Sequence, residues 1–336
     1  MGRYVIRRLL QFIPTVLGAM FLLHYITSIG IQLTGNPLRA LFGDRTPTAS
    51  QMAALSKLFH LDDPCLKQKF NPCGGLFLER MQGIFLHFDF GMNFRRQDVV
   101  SIVADKFPYT IRLALLAFVI ELVIGISAGV LAGLRGGSFW DNLVKVSTVL
   151  VIAIPVFVLG VAVRAFVGVN LGNVLRGQAW IPDVISRGMF ASGFKAEYPF
   201  SSFFLPAVVL ASLSLAITAR LTRTSLMENI RADYVRTAKA KGLRTRRVVG
   251  VHTLRNSLIP VVTFLGVDVA ALLSGAVITE TIFNIPGIGR LVTQSAYSGD
   301  ASVVVGVVTM LVLIFLVVNL LVDILYAVLD PRIRYE

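Results

Sequence analysis

An all-α membrane protein with six transmembrane helices and a folded cap between the first two is the fold class this sequence predicts, and three observations predict it. Of its 336 residues, 55% are hydrophobic and 15% charged, whereas soluble domains carry about 25% charged residues. Six apolar stretches, near 9–31, 113–134, 144–168, 203–219, 258–279 and 302–322, are long enough to cross hydrocarbon about 30 Å thick, which takes about 20 helical residues. The charge is also one-sided. Six spans put residues 1–8, 135–145, 220–257 and 330–336 on one face, where 17 Lys and Arg meet five acids for a net +12, leaving +1 for everything else.

Each element follows from its residues. The first stretch comes after Arg3, Arg7 and Arg8 as a signal peptide would, but its apolar run is too long and lacks a small-residue cleavage site, so it reads as a retained helix. Gly125 and Gly129 in the second span form a G-x-x-x-G that allows close helix contact. Pro155 in the third and Pro206 in the fourth predict kinks. The division expected is 1–31 as the N-terminal helix, 32–106 as the cap, and 107–336 as a five-helix core carrying the loop 226–257.

Lys and Arg in short loops stay inside, and the ten in 220–257 place both termini in the cytoplasm of a multi-pass protein. The overall charge of +13 is thereby a matter of topology, and a nucleic-acid partner loses its main support.

Two loops are too large to be connectors. The outer one, 32–106, holds apolar patches such as Leu76, Phe77, Leu78, Ile84, Phe85 and Leu86, and predicts a small helical cap. Cys65 and Cys73 flank the turn-forming Asn71-Pro72 and face an oxidising space, which favours a disulfide; a structural zinc site would need four ligands. In the inner loop, Ala232 to Lys241 are helix formers, Gly242 supplies a stop, and Thr245 to Asn256 can form a second helix. Both ends of this helix-turn-helix are tethered close to membrane helices, which argues against DNA. Val235, Ala238, Leu243, Val248, Val249 and Val251 give it the apolar content of a docking surface.

Catalysis finds little support. The sequence holds no G-x-x-x-x-G-K-[ST] phosphate loop and no H-E-x-x-H, and Gly287-Ile288-Gly289 lacks the third glycine and preceding strand of a dinucleotide site. No catalytic residue, metal or cofactor is assigned. Charge within a span is costly, so Glu121 and Asp268, the deepest, are expected to face a cavity or one another. Glu280 and Asp323, at span ends, can reach water.

The run DYVRTAKAKGL followed by VHTLRNSLIPVV resembles the cytoplasmic coupling loop of ABC importer permeases, in particular the dipeptide, oligopeptide and nickel branch. RYVIRRLLQFIPTVLG at the start, FDFGMNF at 88–94, TETIFNIPGIGRL at 279–291 and NLLVDILYAVLDPRIRY at 319–335 agree in order, whereas CLKQKFNPCGG looks like an insertion. The resemblance implies a type I importer permease in a bacterial cytoplasmic membrane. It would be paired with a second homologous permease, two ABC ATPases that bind the ATP and magnesium, and an extracytoplasmic solute-binding protein. It further implies that Arg236 to Gly242 is the coupling segment, with Ala238 and Gly242 small for fit and Asp233, Lys239 and Lys241 in polar contacts, Tyr234, Thr237 and Ala240 in the same helix, and His252, Arg255 and Asn256 carrying motion toward Pro260. Peptides are the expected cargo. The alternatives are nickel or haem-like cargo, and, from another class, an ion-coupled carrier using Glu121 and Asp268.

Overall fold

The computed structural model describes residues 2–35, 37–38, 47–59 and 61–329, with the side chains of 2–5, 8–9, 274–275 and 323–329 left aside. Among the described residues the regular secondary structure is helical, apart from one isolated bridge between Met92 and Asp98. In order come α1 (Gly2–Thr34), α2 (Ala49–Leu58), α3 (Gly74–His87), α4 (Val99–Ile120), α5 (Ile126–Leu134), α6 (Phe139–Ala153), α7 (Val156–Ala162) and α8 (Gly172–Arg176). They are followed by α9 (Phe204–Ile230), α10 (Asp233–Ala240), α11 (Thr245–Arg247), α12 (Leu254–Ser257), α13 (Ile259–Ile282), α14 (Ile288–Tyr297) and α15 (Ala301–Leu329). Wider π-helical turns join α4 to α5 at Glu121–Gly125, α7 to α8 at Val163–Leu171, and α11 to α12 at Val248–Thr253.

Five stretches are long and apolar enough to cross a membrane: Leu10–Thr34, Val99–Leu134, Val156–Arg176, Ser201–Ile230 and Ala301–Val322. The pair Thr245–Ser257 and Ile259–Leu273, bent by 46°, makes a sixth. The third span sits further along the chain than its hydropathy suggests. Proline disfavours a helical residue before it, and Ile154, with ψ of 123°, ends α6 ahead of Pro155. Pro206 makes no kink, because α9 begins at Phe204 and places it in the first turn, where the missing N–H has no intrahelical acceptor to lose.

The chain divides into two compact units, Met1–Pro108 with Pro286–Glu336, and Tyr109–Ile285. The last helix thus groups with the N-terminal segment and not with the five-helix core. In the first unit Val16 and Met20 of α1 pack on Met81 and Ile84 of α3, while Val99, Val103, Ile288, Val303 and Val307 form a second cluster. Cys65 and Cys73 are joined by a disulfide, with Cα atoms 5.5 Å apart. Gln32 Nε2 donates to the Asn71 carbonyl at 2.7 Å, tying this loop to α1. The FDFGMNF segment latches onto the start of α15: Asp300 Oδ2 accepts from Phe94 N at 3.1 Å and Oδ1 from Val303 N at 3.3 Å. Burial pushes the Asp300 carboxyl up from its ordinary range, and these two N–H groups oppose the shift.

In the second unit α9 is the central helix, with Ala207, Val209, Ala211, Ser214, Ala216, Thr218, Ala219 and Thr222 all buried. Glycine decides its closest contact. A Cβ on Gly129 would lie 2.6 Å from the Ala219 carbonyl and 2.5 Å from Thr222 Cβ, and Gly125 and Gly133 face Thr218 and Leu226 in the same row. The G-x-x-x-G visible in the sequence is therefore a three-glycine stripe that brings α5 against the α9 backbone.

Candidate coupling surface and buried carboxylates

The loop after α9 is built from its own short-range rules. Asp233 at the start of α10 and Lys239 in its last turn complement the helix dipole. The helix ends in a Schellman motif: Gly242 N–H donates to Lys239 O at 3.0 Å and Leu243 N–H to Ala238 O at 3.4 Å, with Gly242 at φ 73°. Leu243 then folds back on Val235, Ala238 and Val248, which form a small core. Gly242 is thus needed for its left-handed backbone. Its side-chain direction is open, with nothing of the chain within 4 Å of where a Cβ would stand.

Amphipathicity decides what remains outside. Val235 and Ala238 are buried, while Asp233, Tyr234, Arg236, Thr237, Lys239, Ala240, Lys241 and Gly242 are exposed. Ala238 is small because it packs inside this loop, against Val248. Arg236 and Asp233 pair at 3.5 Å with both side chains almost fully in solvent, a contact of little energetic weight. On the second helix Arg255 and Asn256 are exposed and His252 is half-buried, its carbonyl accepting from Asn256 Nδ2 at 3.3 Å. Val251 remains 53% exposed beside Arg246 and Arg247. The exposed residues of the loop are mostly basic, with Val251 an apolar exception.

At the root of this loop lies a contact that hydropathy did not flag. Asp141, in the first turn of α6, has no exposed surface; its carboxylate accepts from Arg223 of α9 at Nε and, at 3.1 Å, at Nη2. Lys145 at 2.8 Å and the Gly137 N–H at 2.8 Å complete its shell. Hydrogen bonds from Arg223 hold this carboxyl far below the ordinary carboxylate range. The fork fixes the end of α9 from which α10 projects. In the sequence Asp141 is one acid in a basic loop, and nothing marks its partner 82 residues away.

The intramembrane residues separate. Glu121 lies in the wide turn between α4 and α5, fully buried, and Thr218 Oγ1 donates to its Oε1 at 2.7 Å. Asp268 on α13 is its acidic neighbour, and Ser214 of α9 adjoins both carboxyls. Glu280 does not reach water: it is fully buried and accepts from Thr110 at 2.6 Å. Two and three residues on, the Ile282 carbonyl accepts from Arg164 Nη1 at 2.6 Å and the Phe283 carbonyl from Phe194 N at 2.9 Å. Asp323 has its side chain outside the described residues.

A family model for the inner membrane component of binding-protein-dependent transport systems matches residues 125–335, a stretch that contains α9, the basic loop and α13. The chain belongs to this family. Over its full length it is 36% identical to the dipeptide transport system permease protein DppB of Haemophilus influenzae, which it also covers completely. It is 33% identical to DppB of Escherichia coli K12 and 32% identical to that organism's oligopeptide transport system permease protein OppB, again over the whole of both chains. The permease is a multi-pass membrane transport subunit.

Proposed function

We propose that this permease conducts peptides as one half of an ATP-driven importer, and that energy enters through the exposed face of α10. The observation that carries the reading is the division of α10 into a buried side, Val235 and Ala238, and a basic outer side that its own chain leaves uncovered. Full-length likeness to both dipeptide and oligopeptide permeases supports peptide cargo. The charge bias of 220–257 supports a cytoplasmic position for the loop and both termini, with the cap outside. Partners would be a second homologous permease, two ATPases presenting an acidic-rimmed cleft, and an extracytoplasmic solute-binding protein. ATP and magnesium belong to the ATPases.

Two substitutions at Gly242 test this. Asparagine tolerates the left-handed backbone and adds little bulk, so Gly242→Asn should keep peptide uptake within about twofold, a change of about 0.4 kcal/mol in free energy. Gly242→Trp meets no atom of this chain near its Cβ; it should block uptake and release the ATPases while the permease still inserts. Normal peptide uptake by Gly242→Trp would overturn the reading. So would accumulation of peptide by the purified chain alone, in liposomes with an ion gradient and no ATPase.

A further inference from the structure

The carboxyls of Glu121 and Asp268 make a local inventory that does not close with both ionised. A carboxylate accepts hydrogen bonds and donates none. Of the hydroxyls within reach, Thr218 gives its proton to Glu121 Oε1 at 2.7 Å, and Ser214, 3.1 Å from the Ala211 carbonyl and beside both carboxyls, has one proton and can serve only one of these acceptors at a time. Glu121 Oε2 and Asp268 Oδ2 are both sealed from solvent and without a hydrogen-bond donor.

Among the described residues, none of the groups acting on them is a cation. Toward Glu121, α9 presents Ser214 and Thr218, both neutral, and α13 presents Asp268. The facing helix α5, from Ile126 to Leu134, has no ionisable residue. Arg112 on α4 lies nine residues away along the helix, about 14 Å at 1.5 Å per residue. Arg220, two residues beyond Thr218 on α9, is exposed, and Glu280, the other acid of α13 ahead of Phe283, is held by Thr110. Two adjacent like charges in such a setting exclude one another.

We infer that Glu121 and Asp268 form a proton-binding site, in which one carboxylic acid donates to the other carboxylate through the otherwise unpartnered Glu121 Oε2 and Asp268 Oδ2. The single proton joins the wide turn after α4 to α13, with Thr218 of α9 bracing the far oxygen of Glu121. Loss of that proton leaves two anions side by side and separates α13 from the other two elements. The site needs no gradient and no particular cargo, so it stands or falls apart from the peptide reading.

Amides test it directly. In Glu121→Gln the amide N–H₂ replaces the shared proton permanently while the amide oxygen keeps the Thr218 bond; Asp268→Asn does the same from the other side. The purified permease, with whatever subunits remain bound, is placed in nanodiscs and its infrared spectrum recorded in light and heavy water. Wild type should show a protonated-carboxyl stretch that each single amide variant loses, the difference between preparations cancelling every other carboxyl. Thermal unfolding should share the pattern. As pH rises from the unfolded carboxyl value of about 4 toward the titration of the folded pair, the wild-type midpoint should fall, the folding equilibrium changing up to about tenfold per pH unit, and then level off, while the amide variants hold level. Absence of the band in wild type, its persistence in both variants, or the same alkaline fall in all three proteins would overturn the proposal. So would a wild-type band abolished by sodium ions at constant pH, which would make the occupant a metal cation.

Discussion

Asp141 and Glu121 are both carboxyls with no exposed surface, and both are held against α9, yet they are compensated in opposite ways. Asp141 sits at the charged end of the helix and is matched by an Arg223 fork, Lys145 and a backbone N–H. Glu121 meets α9 at Thr218, five residues before Arg223, among hydroxyls and a second acid. A buried charge must be paired or neutralised. Near the membrane surface arginine can reach in and pair it, because its charged end keeps some contact with water; Arg223 retains 19% side-chain exposure. In the interior of the helix bundle a neutral form needs only a proton and a hydroxyl.

The largest effect should come from breaking the charged end. Asp141→Ala leaves Arg223 without its fork and should destabilise the detergent-solubilised permease by about 3–5 kcal/mol, read as a drop in thermal midpoint. The pH dependence has a definite sign. A carboxyl held below its ordinary range stabilises the fold at every pH above the unfolded value of about 3.9. The gap between wild type and Asp141→Asn should therefore stay constant from neutral pH down to about 5 and close only in stronger acid. A gap that closes near neutrality would break the contrast with Glu121.

Gly129 sharpens the comparison from the packing side. Gly129→Leu drives a side chain into the Ala219 carbonyl and should cost about 1–3 kcal/mol. By moving the wide turn off α9 it should also shift the infrared signature of Glu121 while leaving the Asp141–Arg223 fork intact. Gly18→Ala, where no atom lies within 4 Å of the new Cβ, serves as the neutral control for both readouts.

The smallest effect belongs to the other unit. Removing the Cys65–Cys73 disulfide, which spans a sequence separation of eight, should cost at most about 2.5 kcal/mol on a chain-entropy account. Tryptic cleavage near the disulfide loop should quicken while both carboxyl sites keep their signatures. Free thiols trapped by alkylation of the native protein under non-reducing conditions would show that this loop does without the bond.

Periodic and compositional features were legible in the chain because they are local. The helical class, the apolar stretches, the Ala232–Lys241 helix with its Gly242 stop, and the motifs of the permease family all follow from residues adjacent in sequence, as does the break at Pro155. The small size of Ala238 was equally visible, though the surface it fits lies inside its own loop, where Leu243 returns to meet it.

Only the tertiary structure decided the rest, since pairing depends on which faces of distant helices meet. Hydropathy left Glu280 at the water's edge, but Thr110, 170 residues earlier, encloses it. Pro206 lost its predicted kink once the start of α9 set it in the first turn. Charge counting sorted Asp141 and Arg223 by side of the membrane, yet their fork forms where α6 packs beside α5 and α9, a meeting that no local pattern announces. A sequence determines how apolar each face is; which carboxyl meets an arginine and which meets another carboxyl is fixed by helix packing at separations of 82 and 147 residues.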